Sequence, residues 1–307
     1  MENITLKQRL KGYIDLIRPF TLLAPIIVSS CIMVASFFYN GGSSDLFAIC
    51  WSTILPASFA LAILNAASNA LNQVTDLKTD KISKPYRPLP QGVISTAEAI
   101  IISIVMYMLA FSLSIFINII FAFFVVLIAI FSATYSLPPR LKGYLFLNQI
   151  WVGIPRGLIG VLASWSVFGN VMQPLPLTIG LIAMFFLIGG SITKDITDSE
   201  ADKKTGSNTL INTYGVKKAG LMVLPLMLFP FVFIPILIDI GILESFLWLL
   251  TFLAIPSYFI FYLMVRDKTK SRLLENTSSW TLMYITYFVF AIGFSVLTIQ
   301  SSIAACL

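Results

Sequence analysis

Long apolar segments are the feature that most restricts how this chain can fold. Segments of about 20 residues, enough for a helix to cross a bilayer, occur at 20–38, 46–72, 96–116, 118–135, 147–168, 174–194, 218–238, 243–265 and 279–300. In lipid, every backbone polar group must be bonded within the protein, which leaves helices or closed barrels. Hydrophobic residues make up 58% of the chain and charged residues 11%. We therefore predict an all-α, polytopic membrane protein with about nine transmembrane helices.

The basic residues predict the orientation of these spans. Every Lys and Arg except Arg156 lies before the first span or at every second connection, and the other connections have none. The positive-inside rule then predicts a multi-pass protein of the cell membrane with a cytoplasmic N-terminus, and nine crossings place the C-terminus outside. Because the basic residues are dispersed over five loops, we expect membrane lipid as a partner and no nucleic acid.

Two short polar stretches interrupt the apolar pattern, and they resemble each other. One covers 72–80 and the other 195–202, and each ends with two aspartates four residues apart. Asp76 and Asp198 are 122 residues apart, as are Asp80 and Asp202. This spacing predicts one membrane domain over 1–307, built from two pseudo-repeated four-helix units and one extra helix.

The two polar stretches also predict a metal site. Residues i and i+4 share one face of a helix, so each aspartate pair directs two carboxylates the same way. Carboxylate and amide oxygens suit Mg²⁺, which also binds substrate phosphates. The predicted metal ligands are Asn72, Asp76, Asp80, Asp195, Asp198 and Asp202. Two such clusters facing each other can hold a diphosphate between metal ions, and both fall on the predicted cytoplasmic side.

A polar stripe and a basic loop flank the first aspartate pair. Asn65 and Asn69 continue the face of Asn72 into the apolar span, where Asn side chains either line a cavity or bond to a neighbouring helix. The loop after Asp80 is rich in proline and basic residues. Its Lys81 and Arg87 are candidates for neutralising diphosphate oxygens, although such residues also occur in ordinary positive-inside loops.

These motifs together resemble the UbiA superfamily of intramembrane prenyltransferases. The first motif and the loop after it match at Asn72, Asp76, Asp80, Lys84, Pro85, Arg87, Pro88, Pro90 and Gly92. The second motif matches at Lys194, Asp195, Asp198, Asp202 and Gly206, and further matches are Arg18-Pro19 and the segment 135–142. Gln73 stands where the family usually has aspartate, which is similar to homogentisate prenyltransferases. Tyr86 and the Arg-Pro-Leu-Pro segment after it are more similar to the corresponding segment of chlorophyll synthases. The motifs also resemble those of archaeal digeranylgeranylglyceryl phosphate synthases.

The resemblance implies a fold, a chemistry and further site residues. It implies nine helices around a central cavity open laterally to lipid, with Mg²⁺ on both aspartate motifs holding an isoprenoid diphosphate. The four aspartates of the two pairs and Tyr135 are then the expected catalytic residues, with Tyr135 facing an allylic cation unless it is an ordinary interfacial tyrosine. The expected diphosphate-binding residues are Asn69, Lys81, Arg87, Lys142 and Lys194. Arg18 is an expected acceptor-binding residue.

Arg156 is the one basic residue predicted inside a span. An arginine within the membrane is by default a candidate functional residue. It can bind an acceptor carboxylate or diphosphate oxygens, or it can pair structurally with a motif aspartate, and the sequence leaves these roles open. We predict that Arg156, like Arg18, binds the acceptor.

The favoured function is Mg²⁺-dependent transfer of a polyprenyl group from an isoprenoid diphosphate to a small, aromatic or related lipid-precursor acceptor. One alternative within the family is transfer to geranylgeranylglyceryl phosphate in archaeal lipid synthesis. Another is a terpene cyclase, which needs no acceptor. A transporter would also have many spans, but it would need more charge at mid-depth than Arg156 supplies.

Overall fold

A computed structural model describes residues 4–43, 45–266 and 277–306, and these residues form helices and no strand. The helices are α1 (Leu6–Ile17), α2 (Pro19–Tyr39), α3 (Leu46–Ile49), α4 (Leu55–Thr75), α5 (Leu77–Ser83), α6 (Thr96–Ile117), α7 (Ile119–Ser136), α8 (Leu147–Gly153), α9 (Gly160–Trp165), α10 (Pro174–Gly190), α11 (Asp195–Thr205), α12 (Leu210–Val232), α13 (Ile234–Asp239), α14 (Ala254–Arg266) and α15 (Ser278–Cys306). Two π-helical segments, Cys50–Ile54 and Ile154–Ile159, and three 3₁₀ segments join some of them. The all-α prediction is confirmed. Lys268, Lys270 and Arg272, which belong to the predicted basic loop before the last span, lie outside the described residues.

Eight helical stretches of the described chain are long and apolar enough to cross a membrane. They are Pro19–Tyr39, Leu46–Thr75, Thr96–Ile117, Ile119–Ser136, Pro174–Thr205, Leu210–Asp239, Ser245–Arg266 and Ser278–Ala304. Each corresponds to a predicted span. The remaining prediction, 147–168, is helical from Leu147 to Trp165 but is not among the eight, because Asn148, Gln149 and Arg156 make it more polar. The ninth crossing and the orientation of the termini stay predictions.

Local capping explains where several helices begin. Thr5 and Gln8 cap α1 reciprocally, and Ser95 and Glu98 do the same for α6, so that free backbone N–H groups at each start are bonded. Asn118 is extended between α6 and α7, and its Oδ1 accepts a hydrogen bond from the backbone N–H of Phe121 at 2.7 Å. This single residue turns the chain, and the two helices pack against each other as a hairpin.

The helices pack through small residues and present apolar side chains outward. A Cβ atom at Gly157 would lie 2.4 Å from Cα of Met184, so the π-helical segment and α10 make backbone contact that any larger residue would prevent. Exposed apolar side chains on α6 include Met108 and Phe116. Such a surface fits lipid, since water would not favour it.

The fold brings the two predicted motifs to the same place. In each half, a long helix ends and a shorter one begins at the motif: α4 is followed by α5, and α10 is followed by a 3₁₀ turn and α11. Helix α5 packs against α11. This parallel agrees with the predicted duplication, which stays a prediction.

Candidate active site

One large central cavity collects almost all the predicted site residues. It is lined by Arg18, Asn69, Asn72, Asp76, Asp80, Arg87, Tyr135, Lys142, Arg156, Lys194, Asp195, Asp198 and Asp202. Lys81 is the exception, since its side chain is exposed and does not line the cavity. Lys84 lines it instead. Arg87 therefore lines the cavity as predicted. Lys81 does not, and Lys84 is the lysine of this loop that faces the cavity.

Asp76 lies at the break between α4 and α5 and is held by two cations. Its Oδ1 is 2.7 Å from Nη2 of Arg140 and 2.6 Å from Nζ of Lys142, both from the segment after α7. Burial raises the pKa of Asp76, but the charges of Lys142 and Arg140 outweigh burial and bring the pKa below its usual value. Lys142 also donates a hydrogen bond to Oδ1 of Asn72 at 2.7 Å. Asp76 is therefore ionised at neutral pH and already paired with two cations.

Asp80, one turn later on α5, makes a buried ion pair. Nη1 of Arg87 lies 2.8 Å from Oδ2 of Asp80, and only 6% and 3% of these side chains are exposed. Burial raises the pKa of Asp80, and the nearby guanidinium of Arg87 only partly offsets it. The pair also ties the proline-rich loop to the aspartate motif, which fixes the position of Arg87 in the cavity wall.

The second motif places three carboxylates along α11, with Asp195 and Asp198 in its first turn and Asp202 in its last. Oδ2 of Asp195 accepts hydrogen bonds from Nδ2 of Asn148 at 2.9 Å and from Nε2 of Gln149 at 3.1 Å. Asp198 pairs with Lys84. Among the described residues, the Asp202 side chain has no hydrogen-bond or ion-pair partner. The Asp202 carboxyl group is thus available to a ligand that enters the cavity.

Lys84 connects the two motifs across 114 residues of sequence. It extends from the end of α5, beside the first motif, to Asp198 in the second. The sequence contained one signal for this role, because Lys84 begins the basic, proline-rich run after the first motif. Nothing in the sequence singled out Asn148 and Gln149, since isolated amides in an apolar segment have many possible partners.

Tyr135 belongs to a polar cluster with Lys194. Its hydroxyl donates to Oδ1 of Asn148 at 2.9 Å and accepts from Nζ of Lys194 at 2.5 Å. The ammonium groups of Lys194 and Lys142 lie 4.9 Å and 5.7 Å from the ring centroid. The ring is therefore in a cation-rich environment, and the predicted contact with an allylic cation stays a prediction.

Asn69, in the polar stripe of α4, joins this helix to the end of α1 and the start of α2. Nδ2 of Asn69 donates to the carbonyl oxygen of Ile17 at 2.9 Å and to Oγ1 of Thr21 at 2.8 Å. These two bonds use both amide hydrogens of Asn69, so its contact with diphosphate stays a prediction that this geometry does not favour. Gln73 does not line the cavity; its Nε2 donates to the carbonyl oxygen of Leu16 at 2.8 Å.

Arg156 is exposed to the cavity from the π-helical segment Ile154–Ile159. Its Nη1 donates to the hydroxyl of Tyr284 at 3.2 Å, and its backbone oxygen accepts from the hydroxyl of Tyr287 at 2.9 Å. Within the described residues it has no carboxylate partner, which removes the structural alternative of pairing with a motif aspartate. A guanidinium held only by a neutral hydroxyl can bind an anion that enters the cavity.

The donor chemistry of the cavity fits Mg²⁺. The six predicted ligands, five carboxylates and one amide, all line this space, and oxygen ligands are what this ion prefers. No three acidic, Cys or His side chains of the described chain converge closely enough to hold a metal by themselves. Mg²⁺ commonly uses one or two carboxylates and completes its coordination with water and substrate phosphates. The arrangement therefore fits a metal that binds together with its diphosphate.

Comparison with known proteins gives the family. The model of the UbiA prenyltransferase family matches residues 28–280, which is most of the chain. The chain belongs to the UbiA prenyltransferase family. This confirms the resemblance carried by the motifs, and it identifies the chain as a prenyltransferase enzyme and not a transporter.

Several UbiA relatives are archaeal. The chain is 26% identical over 287 residues to a digeranylgeranylglyceryl phosphate synthase of Methanosphaera stadtmanae, covering 92% of this chain and 98% of that one. It is 30% identical over 263 residues to the synthase of the same name from Methanocaldococcus jannaschii, covering 84% and 85%.

Solved structures share the fold. A structure of digeranylgeranylglyceryl phosphate synthase matches with a TM-score of 0.67 at 26% identity, covering 95% of this chain and 99% of that one. A UbiA homologue from Archaeoglobus fulgidus, bound to GPP and Mg²⁺, matches with a TM-score of 0.69 at 20% identity, covering 94% and 99%.

Proposed function

We propose that this UbiA enzyme transfers a geranylgeranyl group to geranylgeranylglyceryl phosphate. The C1–O bond of the prenyl diphosphate breaks, diphosphate leaves, and C1 forms an ether bond to the acceptor hydroxyl, which loses its proton. The relatives named as digeranylgeranylglyceryl phosphate synthases favour this acceptor. The small aromatic acceptor that the sequence favoured is less well supported than the archaeal-lipid alternative.

The observation that carries the proposal is the convergence of both aspartate motifs and their cations on one cavity. We assign the binding of Mg²⁺ to Asn72, Asp76, Asp80, Asp195, Asp198 and Asp202. When bound, the metal supplies Lewis-acid stabilisation of the leaving diphosphate. This assignment is supported by the Mg²⁺ and GPP bound to the Archaeoglobus fulgidus homologue.

The cations of the cavity would bind the diphosphate oxygens that the metal leaves exposed. Lys142, Lys194, Arg87 and Lys84 all line the cavity close to the motifs. Lys84 and Lys142 are paired with aspartates in this structure. When a diphosphate and metal arrive, these lysines can exchange a carboxylate partner for a phosphate partner without leaving a charge unpaired, which keeps the desolvation cost low.

The acceptor phosphate would be bound by Arg156 and Arg18, which both line the cavity. Arg156 lacks a carboxylate partner among the described residues and offers a planar fork suited to phosphate. The aromatic residues Trp280, Tyr284 and Tyr287 line the same part of the cavity. Their rings exclude water from the reacting carbon, which an allylic cation requires if it is to be captured by the acceptor.

A direct assay tests the proposed reaction. Purified enzyme with Mg²⁺ and geranylgeranyl diphosphate would be supplied with geranylgeranylglyceryl phosphate, with 4-hydroxybenzoate or homogentisate, or with no acceptor. We expect digeranylgeranylglyceryl phosphate and diphosphate only with the first acceptor. Prenylated aromatic product would restore the first interpretation. A cyclic hydrocarbon formed without any acceptor would identify a cyclase.

A further inference from the structure

A second pocket lies outside the central cavity, beside the N-terminal helix. We call it the outer pocket; it is lined by Gln8, Lys11, Gly12, Asp15, Arg18, Pro19, Phe20, Thr21, Tyr86, Arg87, Pro88, Gln91 and Val93. Arg18, Thr21 and Arg87 also line the central cavity. The two spaces thus share three lining residues among those described, and two of the three are basic.

Helix α1 lies across one end of the helix bundle. Near its start, Arg9 bonds to Glu98 in the first turn of α6. At its end, the carbonyl oxygen of Leu16 accepts from Gln73 in the last turn of α4. Both contacts are at the end of the bundle that carries the aspartate motifs, and α2 enters the membrane directly after α1. Helix α1 is therefore placed at the membrane surface on the side of the active site.

The outward face of α1 is apolar. Leu6, Leu10 and Ile14 follow at intervals of four residues, and their side chains are 74%, 55% and 54% exposed. The opposite face is packed: Gly12 is buried and so close to Val93 that a Cβ atom would lie 2.8 Å from it. A helix with one apolar and one basic side at this position lies in the interface between headgroups and acyl chains. The outer pocket therefore opens beside lipid headgroups.

The charge of the outer pocket favours an anion. Lys11, Arg18 and Arg87 contribute positive charge to its wall, and Asp15 is the one acidic residue among the described lining residues. Arg87 is paired with Asp80 on the cavity side, and Lys11 and Arg18 are the other basic residues of the pocket wall. The side chains of Lys11 and Asp15 are exposed. A phosphate group at this depth would be attracted by the basic residues and repelled by Asp15.

We propose that the outer pocket binds the phosphate headgroup of the lipid acceptor at the membrane surface, before the acceptor enters the central cavity. The inference rests on the proposed function, which requires an acceptor with an isoprenoid chain in the bilayer and a glycerol phosphate at its surface. Lys11 is the first contact for this phosphate. Arg18, which lines both spaces, is the next contact on the path to the central cavity. The exposed apolar side chains of α1 keep the pocket at the depth of the headgroups.

Two exposed lysines on the same helix provide a matched comparison. Lys11 lines the outer pocket and Lys7 does not. In phosphatidylcholine nanodiscs, Lys11→Gln should raise the KM for geranylgeranylglyceryl phosphate about fivefold, as expected for one basic residue near a lipid surface. The KM for geranylgeranyl diphosphate should not change. Lys7→Gln should leave both values as in the wild type, because Lys7 lies outside the pocket.

A substitution that removes a negative charge from the outer pocket provides a second test. Asp15→Asn removes the negative charge of Asp15 from the pocket wall and should lower the acceptor KM by a comparable factor. If Lys11→Gln and Lys7→Gln behave alike, or if Asp15→Asn raises the acceptor KM, the proposed pocket is wrong. A wild-type enzyme without any product from geranylgeranylglyceryl phosphate would instead contradict the proposed function.

Binding can be measured without turnover. Lysophosphatidic acid with a diazirine in its acyl chain, a single-chain glycerol phosphate, should cross-link to peptides containing residues 8–21 in the wild type and several-fold less in Lys11→Gln. Unlabelled geranylgeranylglyceryl phosphate should compete for this labelling. Equally strong competition by phosphatidylglycerol would show a general site for anionic headgroups, which overturns the assignment to the acceptor.

Discussion

Replacing Arg156 by glutamine tests the assignment of the acceptor phosphate most directly. Among the described residues, the Arg156 side chain makes one hydrogen bond, 3.2 Å long, to a tyrosine hydroxyl, and it is exposed to the cavity. Losing that bond should cost about 1 kcal/mol or less of the free energy of unfolding. A charge-assisted bond to a phosphate in a water-poor cavity is worth about 1.5–3 kcal/mol. We therefore expect Arg156→Gln to be stably folded with an acceptor KM raised about tenfold to a hundredfold.

The assay measures initial rates in nanodiscs while one substrate is varied and the other is saturating. Arg156→Lys keeps the charge but not the planar fork, so its acceptor KM should lie between those of the wild type and Arg156→Gln. Arg140→Gln serves as the comparison, because Arg140 pairs with Asp76 in the metal motif. It should affect the prenyl diphosphate and not the acceptor.

Three outcomes would refute this reasoning about Arg156. A raised KM for geranylgeranyl diphosphate, with an unchanged acceptor KM, would show that Arg156 binds the leaving group. Loss of folded protein in detergent would show that the arginine is structural despite its single bond. Unchanged kinetics for both substrates would show that the acceptor phosphate binds elsewhere.

Four further predictions follow from the motifs and the packing. Asp76→Asn or Asp198→Asn should remove most product formation while the protein remains folded, and EDTA should do the same until Mg²⁺ is restored; full turnover in either variant would exclude the two-motif metal site. Lys84→Gln should raise the KM for geranylgeranyl diphosphate by about tenfold, whereas Lys81→Gln, outside the cavity, should not; equal effects would contradict the lining of the cavity. Gln73→Leu should lower the free energy of unfolding by about 1–3 kcal/mol, measured by denaturation, with turnover per folded molecule retained, because position 73 packs against α1. Reporters at the two termini should read a cytoplasmic N-terminus and an external C-terminus, and two reporters on the same side would show that the fifth predicted span does not cross.

The sequence was sufficient for the helices because their signals are local. The length of an apolar segment compared with the thickness of a bilayer is a property of consecutive residues, and eight predicted spans correspond to long apolar helices. The same holds for the motifs: aspartates at steps of four on two similar stretches place their carboxylates together wherever those stretches meet. The span at 147–168 was harder to recognise as a membrane crossing. It contains polar residues that line the cavity, and these residues weaken the apolar signal.

The sequence could not assign partners within the site, because ion pairs form between segments that only packing brings together. Lys81 and Lys84 are three residues apart and chemically equal, yet the short helix α5 directs one outward and the other to Asp198 in the second motif. Asn69 lies on the same helical face as Asn72, but the end of α1 and the start of α2 pack against it and accept both of its amide hydrogens. The one-dimensional pattern thus determined where the two motifs lie along the chain, whereas the tertiary structure decided which of their neighbours face the cavity, which bond to each other and which remain available for a ligand.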